Sequence, residues 1–190
     1  MAALSGPPRL VILDRDGVIN EDSPEYVKSP AEWRPLPGSL DAIARLNAAG
    51  FTVAVASNQS GIARGYFDTY ALGAMHTKFR DLLAEAGGRV DRIEVCPHGP
   101  DEGCDCRKPA PGLLERLLDD YGVDPADVFV VGDSLRDLEA ALAANAKPVL
   151  VRTGNGRRTE QQLTGPLADI PVFDDLAAFA TWLLEAQSCC

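Results

Sequence analysis

The chain has 190 residues, 46% of them hydrophobic and 24% charged, a length that suits one globular unit with a sizeable core; a single domain over residues 1–190 is predicted. Its net charge of −10 gives no electrostatic footprint for a phosphate backbone, which argues against nucleic acid as a partner but not against small phosphorylated substrates held by a few local cations. The opening MAALSGPPRL has no basic segment leading into an apolar stretch, and no apolar run approaches the ~20 residues that span a bilayer, so a cytoplasmic protein with no membrane partner is expected.

In chain order, Leu10 to Gly17 reads LVILDRDG, an unalternating apolar run of the kind buried on both faces of a parallel sheet, closed by a turn that carries Asp14 and Asp16. Val18 to Pro37 contains four prolines and reads as an irregular flap over the strand ends. Ser39 is placed as the cap of a helix over Leu40 to Ala49 that stops at Gly50. Phe51 to Ala56 is a second buried strand ending at Ser57 and Asn58, and Asp68 to Ala86 a helix closed by Gly87 and Gly88. A short strand, Val90 to Val95, leads into a Cys-rich loop; then come a helix over Pro111 to Tyr121, a strand over Val128 to Val131 closed by Gly132 and Asp133, and a helix near Leu135 to Ala144. A strand over Pro148 to Val151 and a helix near Asp174 to Ala186 follow. This alternation predicts an α/β chain: a Rossmann-like three-layer fold with a mainly parallel central sheet.

Ligands in such sheets bind outside the carboxyl ends of the strands. There the sequence sets Asp14 and Asp16 after the first strand, Ser57 after the second, Asp133 after the fourth, and Lys108 ahead of a helix. That set suits phosphoryl transfer. Asp14 supplies a nucleophile, Ser57 and Lys108 stabilise phosphoryl oxygens, and Asp16 serves as acid and then base. Mg²⁺ on Asp14, Asp133 and the main-chain oxygen of Asp16 separates the anions. Each residue also has a plain structural reading: an acidic turn for the Asp pair, a cap for Ser57 or Asp133, a solvated lysine for Lys108. Asp137 either supports the metal or complements its helix N-terminus.

Cys96, His98, Cys104 and Cys106 fall within eleven residues and offer the ligand set of a closed tetrahedral structural Zn²⁺ site spanning 96–106. Disulfides are disfavoured by compartment, and two Cys one residue apart are badly placed to pair. Cys189 and Cys190 read as an unpaired terminal tail.

The segments LDRDGVIN, VASNQSGIARG, CRKPAPG and VGDSLRDLEAA are similar, in order, to the four motifs of the haloacid-dehalogenase-like phosphatase superfamily. That resemblance implies the same roles for Asp14, Asp16, Ser57, Lys108 and Asp133. CPHGPDEGCDCRKP resembles the zinc loop of the histidinol-phosphate phosphatase-like subgroup, which includes heptose-bisphosphate and histidinol-phosphate phosphatases. The gaps between motifs are too short for a large cap domain. By resemblance, Arg107 and the stretch Ser57, Asn58, Gln59 and Ser60 contact substrate, while the flap, with Asp22, Ser23 and Glu25, lines the entrance. A sugar bisphosphate needs a further cation, which Arg107 or Arg64 can supply. The preferred expectation is a monomeric Mg²⁺-dependent phosphatase acting on the 7-phosphate of a heptose 1,7-bisphosphate, a small phosphorylated sugar in activated-heptose synthesis for envelope polysaccharides. Histidinol phosphate is the alternative substrate, its ammonium facing Asp22 or Glu25. A phosphoryl-accepting receiver module has a similar parts list, but it lacks a second Asp two residues after the first.

Overall fold

The computed structural model describes residues 9–188, so the Cys189–Cys190 tail and the first eight residues lie outside it. Six strands form one sheet: β1 (Arg9–Leu13), β2 (Phe51–Asn58), β3 (Arg92–Cys96), β4 (Phe129–Gly132), β5 (Lys147–Val151) and β6 (Val172–Phe173). Their order is β3-β2-β1-β4-β5-β6 and every neighbouring pair is parallel. The helices are α1 (Ser39–Ala48), α2 (Thr69–Glu85), α3 (Gly112–Tyr121), α4 (Leu135–Ala143), α5 (Gly156–Glu160) and α6 (Leu176–Ser188).

The apolar runs fill both faces of the sheet. Val11 and Leu13 of β1 and Val53 and Val55 of β2 join one core with Ile43, Leu46, Phe79 and Phe179 from α1, α2 and α6. Leu10, Ile12, Ala54 and Ala56 point the other way, against Leu113, Leu114 and Leu117 of α3 and Ala140 and Ala141 of α4. A strand with apolar side chains on both faces needs a helix layer on each, and the three-layer architecture follows.

The chain builds outward from β1 through β2 to β3, then returns to start β4 on the other side of β1. That reversal opens a crevice between the carboxyl ends of β1 and β4, the natural ligand position in such sheets. Register sets the ends level: Leu13 pairs with Val55 and with Val131. No folded cap interrupts this edge. The flap holds only the isolated bridges of Asn20 to Asp16 and Pro35, and it is fastened from below. Trp33 is fully buried with its ring 5.4 Å from that of Phe79, and the Lys78 ammonium donates to the Pro30 and Trp33 carbonyls at 2.7 and 2.8 Å.

Three local expectations need correction. Ser39 does not cap α1: Gly38 holds that position, and Ser39 Oγ donates to the Ile19 carbonyl at 2.7 Å, joining flap to helix. β3 begins at Arg92 rather than Val90, because Val90 turns into the core and its pairing with Ala54 starts only at Arg92. The two-residue strand β6 and the single-turn helix α5 were not anticipated; both are too short for a period to show. Among the described residues no helix is long and apolar enough to cross a membrane.

Candidate active site

β1 carries its main-chain pairing one residue past the strand, since Asp14 N donates to Val131 O at 2.9 Å. The Asp14 side chain is therefore held at the crevice. Its Oδ1 accepts from Arg15 N at 2.8 Å and lies 3.0 Å from the Lys108 ammonium. Lys108 is 2% exposed and also meets Asp137 Oδ1 at 2.6 Å and the Ala56 carbonyl at 2.6 Å. Asn58 fixes that lysine from behind: its amide accepts from Lys108 N and donates to Lys108 O, both at 3.0 Å. The surface-lysine reading of Lys108 is thereby excluded.

Asp133 follows β4 and is oriented as firmly. Its Oδ2 accepts from the Asn155 main-chain N at 2.7 Å and from the Asn155 side chain at 3.1 Å. Gly17 and Gly154, at φ 82 and 55, pass so close that a Cβ on either would run into this carboxylate, so only glycine serves at both positions. Asp137 takes both of its sequence readings: its Oδ2 accepts from Ser134 N and Oγ at 3.0 and 2.6 Å, completing a capping box on α4, while Oδ1 meets Lys108.

Oxygens of Asp14, Asp133 and Asp137 lie within 4.8 Å of one another. Three carboxylates against the one ammonium of Lys108 leave two negative charges unbalanced, the complement of a divalent cation. Hard oxygen donors suit Mg²⁺. Burial pushes Asp14 up to about 8 despite the Lys108 charge, and burial with repulsion from Asp137 pushes Asp133 up to about 7. Burial acts on Asp137 as well, but Lys108 and the Ser134 hydrogen bonds outweigh it and hold Asp137 below the usual carboxylate range.

The Asp16 side chain stands outside that triad. Its Oδ1 accepts from Asn20 at 2.8 Å and from Arg15 Nη2 at 2.9 Å, and its Oδ2 from Gln59 Nε2 at 2.8 Å. Burial disfavours the charge, but the Arg15 guanidinium and these three donors prevail and keep Asp16 ionised. Gln59 Nε2 also donates to Ser57 Oγ at 2.8 Å, linking the Asp16 carboxylate to the hydroxyl.

A cleft of about 340 Å³ opens above these groups. Asp14, Asp16, Asp22, Ser23, Asn58, Gln59, Ser60, Arg107, Lys108 and Asp133 line it, as does Arg64. Two of the anticipated residues stand elsewhere. Ser57 is 1% exposed, the penultimate residue of β2 rather than a residue beyond it, and lies beneath the floor; Glu25 lines a separate hollow on the outer side of the flap. Sequence reasoning missed the supports Arg15, Asn20 and Asn155. The arginine between the two aspartates was the one legible signal, since a like-charged pair wants a cation between or beside it.

Cys96, which ends β3, gathers the loop residues: its Sγ is 3.1 Å from Cys106 Sγ and 3.6 Å from Cys104 Sγ, and Cys104 and Cys106 are 3.5 Å apart. His98 Nδ1 lies 3.5 Å from Cys96 and 3.3 Å from Cys106. A tetrahedron with Zn–S near 2.3 Å and Zn–N near 2.0 Å has edges of roughly 3.5–3.8 Å, so the quartet has the size and donor set for zinc. The three thiols are free rather than disulfide-bonded. Arg107 follows directly and its Nη1 donates to the His98 carbonyl at 3.2 Å.

A central parallel strand ending in Asp-X-Asp, with a buried lysine, a hydroxyl and an aspartate from adjoining strand ends, defines the class: a haloacid-dehalogenase-like hydrolase. The HAD-hydrolase-like family model matches residues 105–179. Over 177 residues the chain is 59% identical to a D-glycero-beta-D-manno-heptose-1,7-bisphosphate 7-phosphatase of Pseudomonas aeruginosa, covering 93% of this chain and 98% of that one. A relative of the same name from Neisseria meningitidis serogroup A is 47% identical, with 95% and 97% covered. The crystal structure of a D,D-heptose 1,7-bisphosphate phosphatase from B. bronchiseptica, complexed with magnesium and phosphate, superposes with a TM-score of 0.90 at 57% identity, covering 94% and 99% of the two chains. The chain belongs to the heptose-1,7-bisphosphate 7-phosphatase family of haloacid-dehalogenase-like hydrolases, and it is a phosphatase.

Proposed function

We propose that this single-domain protein removes the 7-phosphate of D-glycero-β-D-manno-heptose 1,7-bisphosphate, in a Mg²⁺-dependent reaction through an aspartyl-phosphate on Asp14. The observation that carries the mechanism is the cluster at the cleft floor: Asp14 against Lys108, Asp133 and Asp137 beside them, and Asp16 held apart on its own donors. The relatives' names supply the substrate and its anomer.

In the first half-reaction a carboxylate oxygen of Asp14 bonds to phosphorus as the bond from phosphorus to the substrate's C7 oxygen breaks. Lys108 stabilises the phosphoryl charge, and Ser57 has its hydroxyl hydrogen free to donate, because Gln59 supplies only a donor to its oxygen. Mg²⁺ bound by Asp14, Asp133 and the main-chain oxygen of Asp16 supplies the positive charge that lets one anion approach another. Asp16 gives a proton to the leaving alkoxide, then takes one from the water that attacks phosphorus and frees Asp14 and inorganic phosphate. The resting Asp16 is ionised, so it acquires its proton only when the negative phosphate enters beside it and raises its proton affinity.

Cys96, His98, Cys104 and Cys106 would hold a structural Zn²⁺, their four donors completing its coordination without substrate. A cytoplasmic monomer that engages neither nucleic acid nor membrane completes this reading. The test is phosphate release, with Mg²⁺, from both anomers of the heptose bisphosphate and from histidinol phosphate, compared by kcat/KM. A preference for the β anomer of ~100-fold over histidinol phosphate, equivalent to ~2.7 kcal/mol, is expected. Preference for histidinol phosphate overturns the substrate and leaves the chemistry in place.

A further inference from the structure

The chain is acidic overall, and Arg89, Arg92, Arg116 and Arg152 on its surface form ion pairs, while Arg9, Arg34, Arg45, Arg80, Arg157 and Arg158 are scattered elsewhere without one among the described residues. Three more are gathered at the cleft. Arg64, Arg107 and Arg136 line it, and among the described residues none of them forms an ion pair. Arginines left unpaired in an acidic protein, and gathered on one cavity, are kept for an anion that is not part of the chain.

The three are not equivalent. Arg107 and Arg136 also wall an adjoining hollow of about 280 Å³ between the zinc loop and the start of α4, formed with Pro100 and Cys104, whereas Arg64 takes no part in it. Arg136 is exposed and is the second residue of α4. A cation in the first turn of a helix opposes the helix dipole, where the preferred charge is negative. Asp137, the next residue, is committed to Lys108 and Ser134, and Glu139, one turn on, forms no ion pair with Arg136. Asp22 of the flap, which also lines the cleft, feels the Arg136 charge without forming an ion pair with it. A residue that breaks a local preference without a partner in the fold marks a functional position.

We infer that Arg136 is a specificity-determining residue that holds the second, non-transferred phosphate of the substrate jointly with Arg107, in the hollow between the zinc loop and α4. The inference rests on the bisphosphatase reading and deepens it. Two guanidinium groups lining one hollow bind a phosphate dianion by charge-assisted hydrogen bonds, one carried by the Cys/His loop and the other by the helix start. Arg64 is then left for steering rather than binding. The zinc loop gains a role in recognition through the arginine it carries.

The experiment uses the Mg²⁺-loaded full chain and two substrates, the heptose 1,7-bisphosphate and the heptose 7-phosphate that lacks the anomeric phosphate. For Arg136→Ala the loss of kcat/KM on the bisphosphate is expected to exceed the loss on the monophosphate by roughly 10- to 100-fold, mostly through KM. Arg136→Lys recovers part of that ratio, and Arg64→Ala moves it less than about threefold. A thermal melt of each variant separates folding from binding. Equal losses on the two substrates, or no loss, overturn the role of Arg136 and leave the bisphosphatase reading standing. Absence of wild-type turnover with the bisphosphate overturns both.

Discussion

Two clusters fit to hold metal sit close together, and they are built by opposite means. Asp14, Asp133 and Asp137 hang from strand ends and a helix start that the sheet fixes, and protein groups already engage each of them: Lys108, Asn155 and Ser134. In the other quartet only Cys96 stands in regular structure; His98, Cys104 and Cys106 lie on a loop without helix or strand, and the four groups meet chiefly one another. The oxygen site therefore takes its shape from the scaffold, while the sulfur site is held chiefly by its own four groups. Catalysis needs the first property, because a preorganised site spends nothing on rearrangement as charge develops. A loop that must aim Arg107 needs only the second.

The sharpest way to break this comparison is at Asp14. Asp14→Asn keeps the size and the hydrogen bond from Arg15 but removes the proposed nucleophile, and a fall in kcat of at least about 10³-fold is expected with folding intact. The melting temperature without Mg²⁺ should hold or rise, because the amide replaces a carboxyl whose ionisation burial already opposes. Phosphate release near the wild-type rate would sink the aspartyl-phosphate route.

Lys108→Met comes next. It strips the only cation from three carboxylates in a buried setting, so it is expected to cost about 3–5 kcal/mol of stability along with roughly 10²-fold in kcat. Denaturant melts without Mg²⁺ read the first number. If Mg²⁺ restores most of the stability, the ion and the lysine share the task of neutralising the same charge. Cys104→Ser should do less: it lowers zinc content and stability by of order 2 kcal/mol, roughly 4–8 °C in Tm for a chain of this length. Turnover is largely kept, because Asn58 clamps the Lys108 backbone independently of the loop. Should Cys104→Ser abolish turnover as fully as Lys108→Met, the two clusters are one unit and the contrast fails.

The same contrast explains what could be read from sequence. LVILDRDG and VVGDSLRD announce a buried strand and its acidic end because both the apolar run and the turn are contiguous, and CPHGPDEGCDC announces its ligands by spacing. Supports drawn from distant segments leave no such trace. Asn155 reaches Asp133 from 22 residues away, and Asn58 reaches Lys108 across 50. Gln59, expected to contact substrate, lies 4% exposed between Asp16 and Ser57, a contact across 43 residues that no local pattern encodes. Ser39 shows the converse failure, a residue type favoured as a cap that the fold uses for a tertiary tie to Ile19.

The smallest expected effect concerns what stands behind the carboxylates. His76 on α2 faces Arg15, Arg80 and Asp16, and its Nε2 is buried with no hydrogen-bond partner among the described residues. Burial, then the charges of Arg15 and Arg80, lower its pKa from 6.5 to about 4, so it is neutral in the native protein at pH 7. A histidine depressed in this way binds its proton more readily when unfolded. Stability is therefore unaffected above pH 6.5, falls as pH drops from 6.5 toward 4, and loses nothing further from this group below that. His76→Phe, which cannot titrate, should flatten the decline in unfolding free energy over that window by up to one proton, about 1.4 kcal/mol per pH unit, with the curves parallel above pH 7. Parallel curves across the whole range would mean that His76 is charged beside Arg15 in the folded state, and that Asp16 rather than burial sets its environment. In that case a titrating group stands directly behind Asp16, and the scaffold-fixed shape that separates the oxygen site from the Cys/His loop would weaken at acid pH.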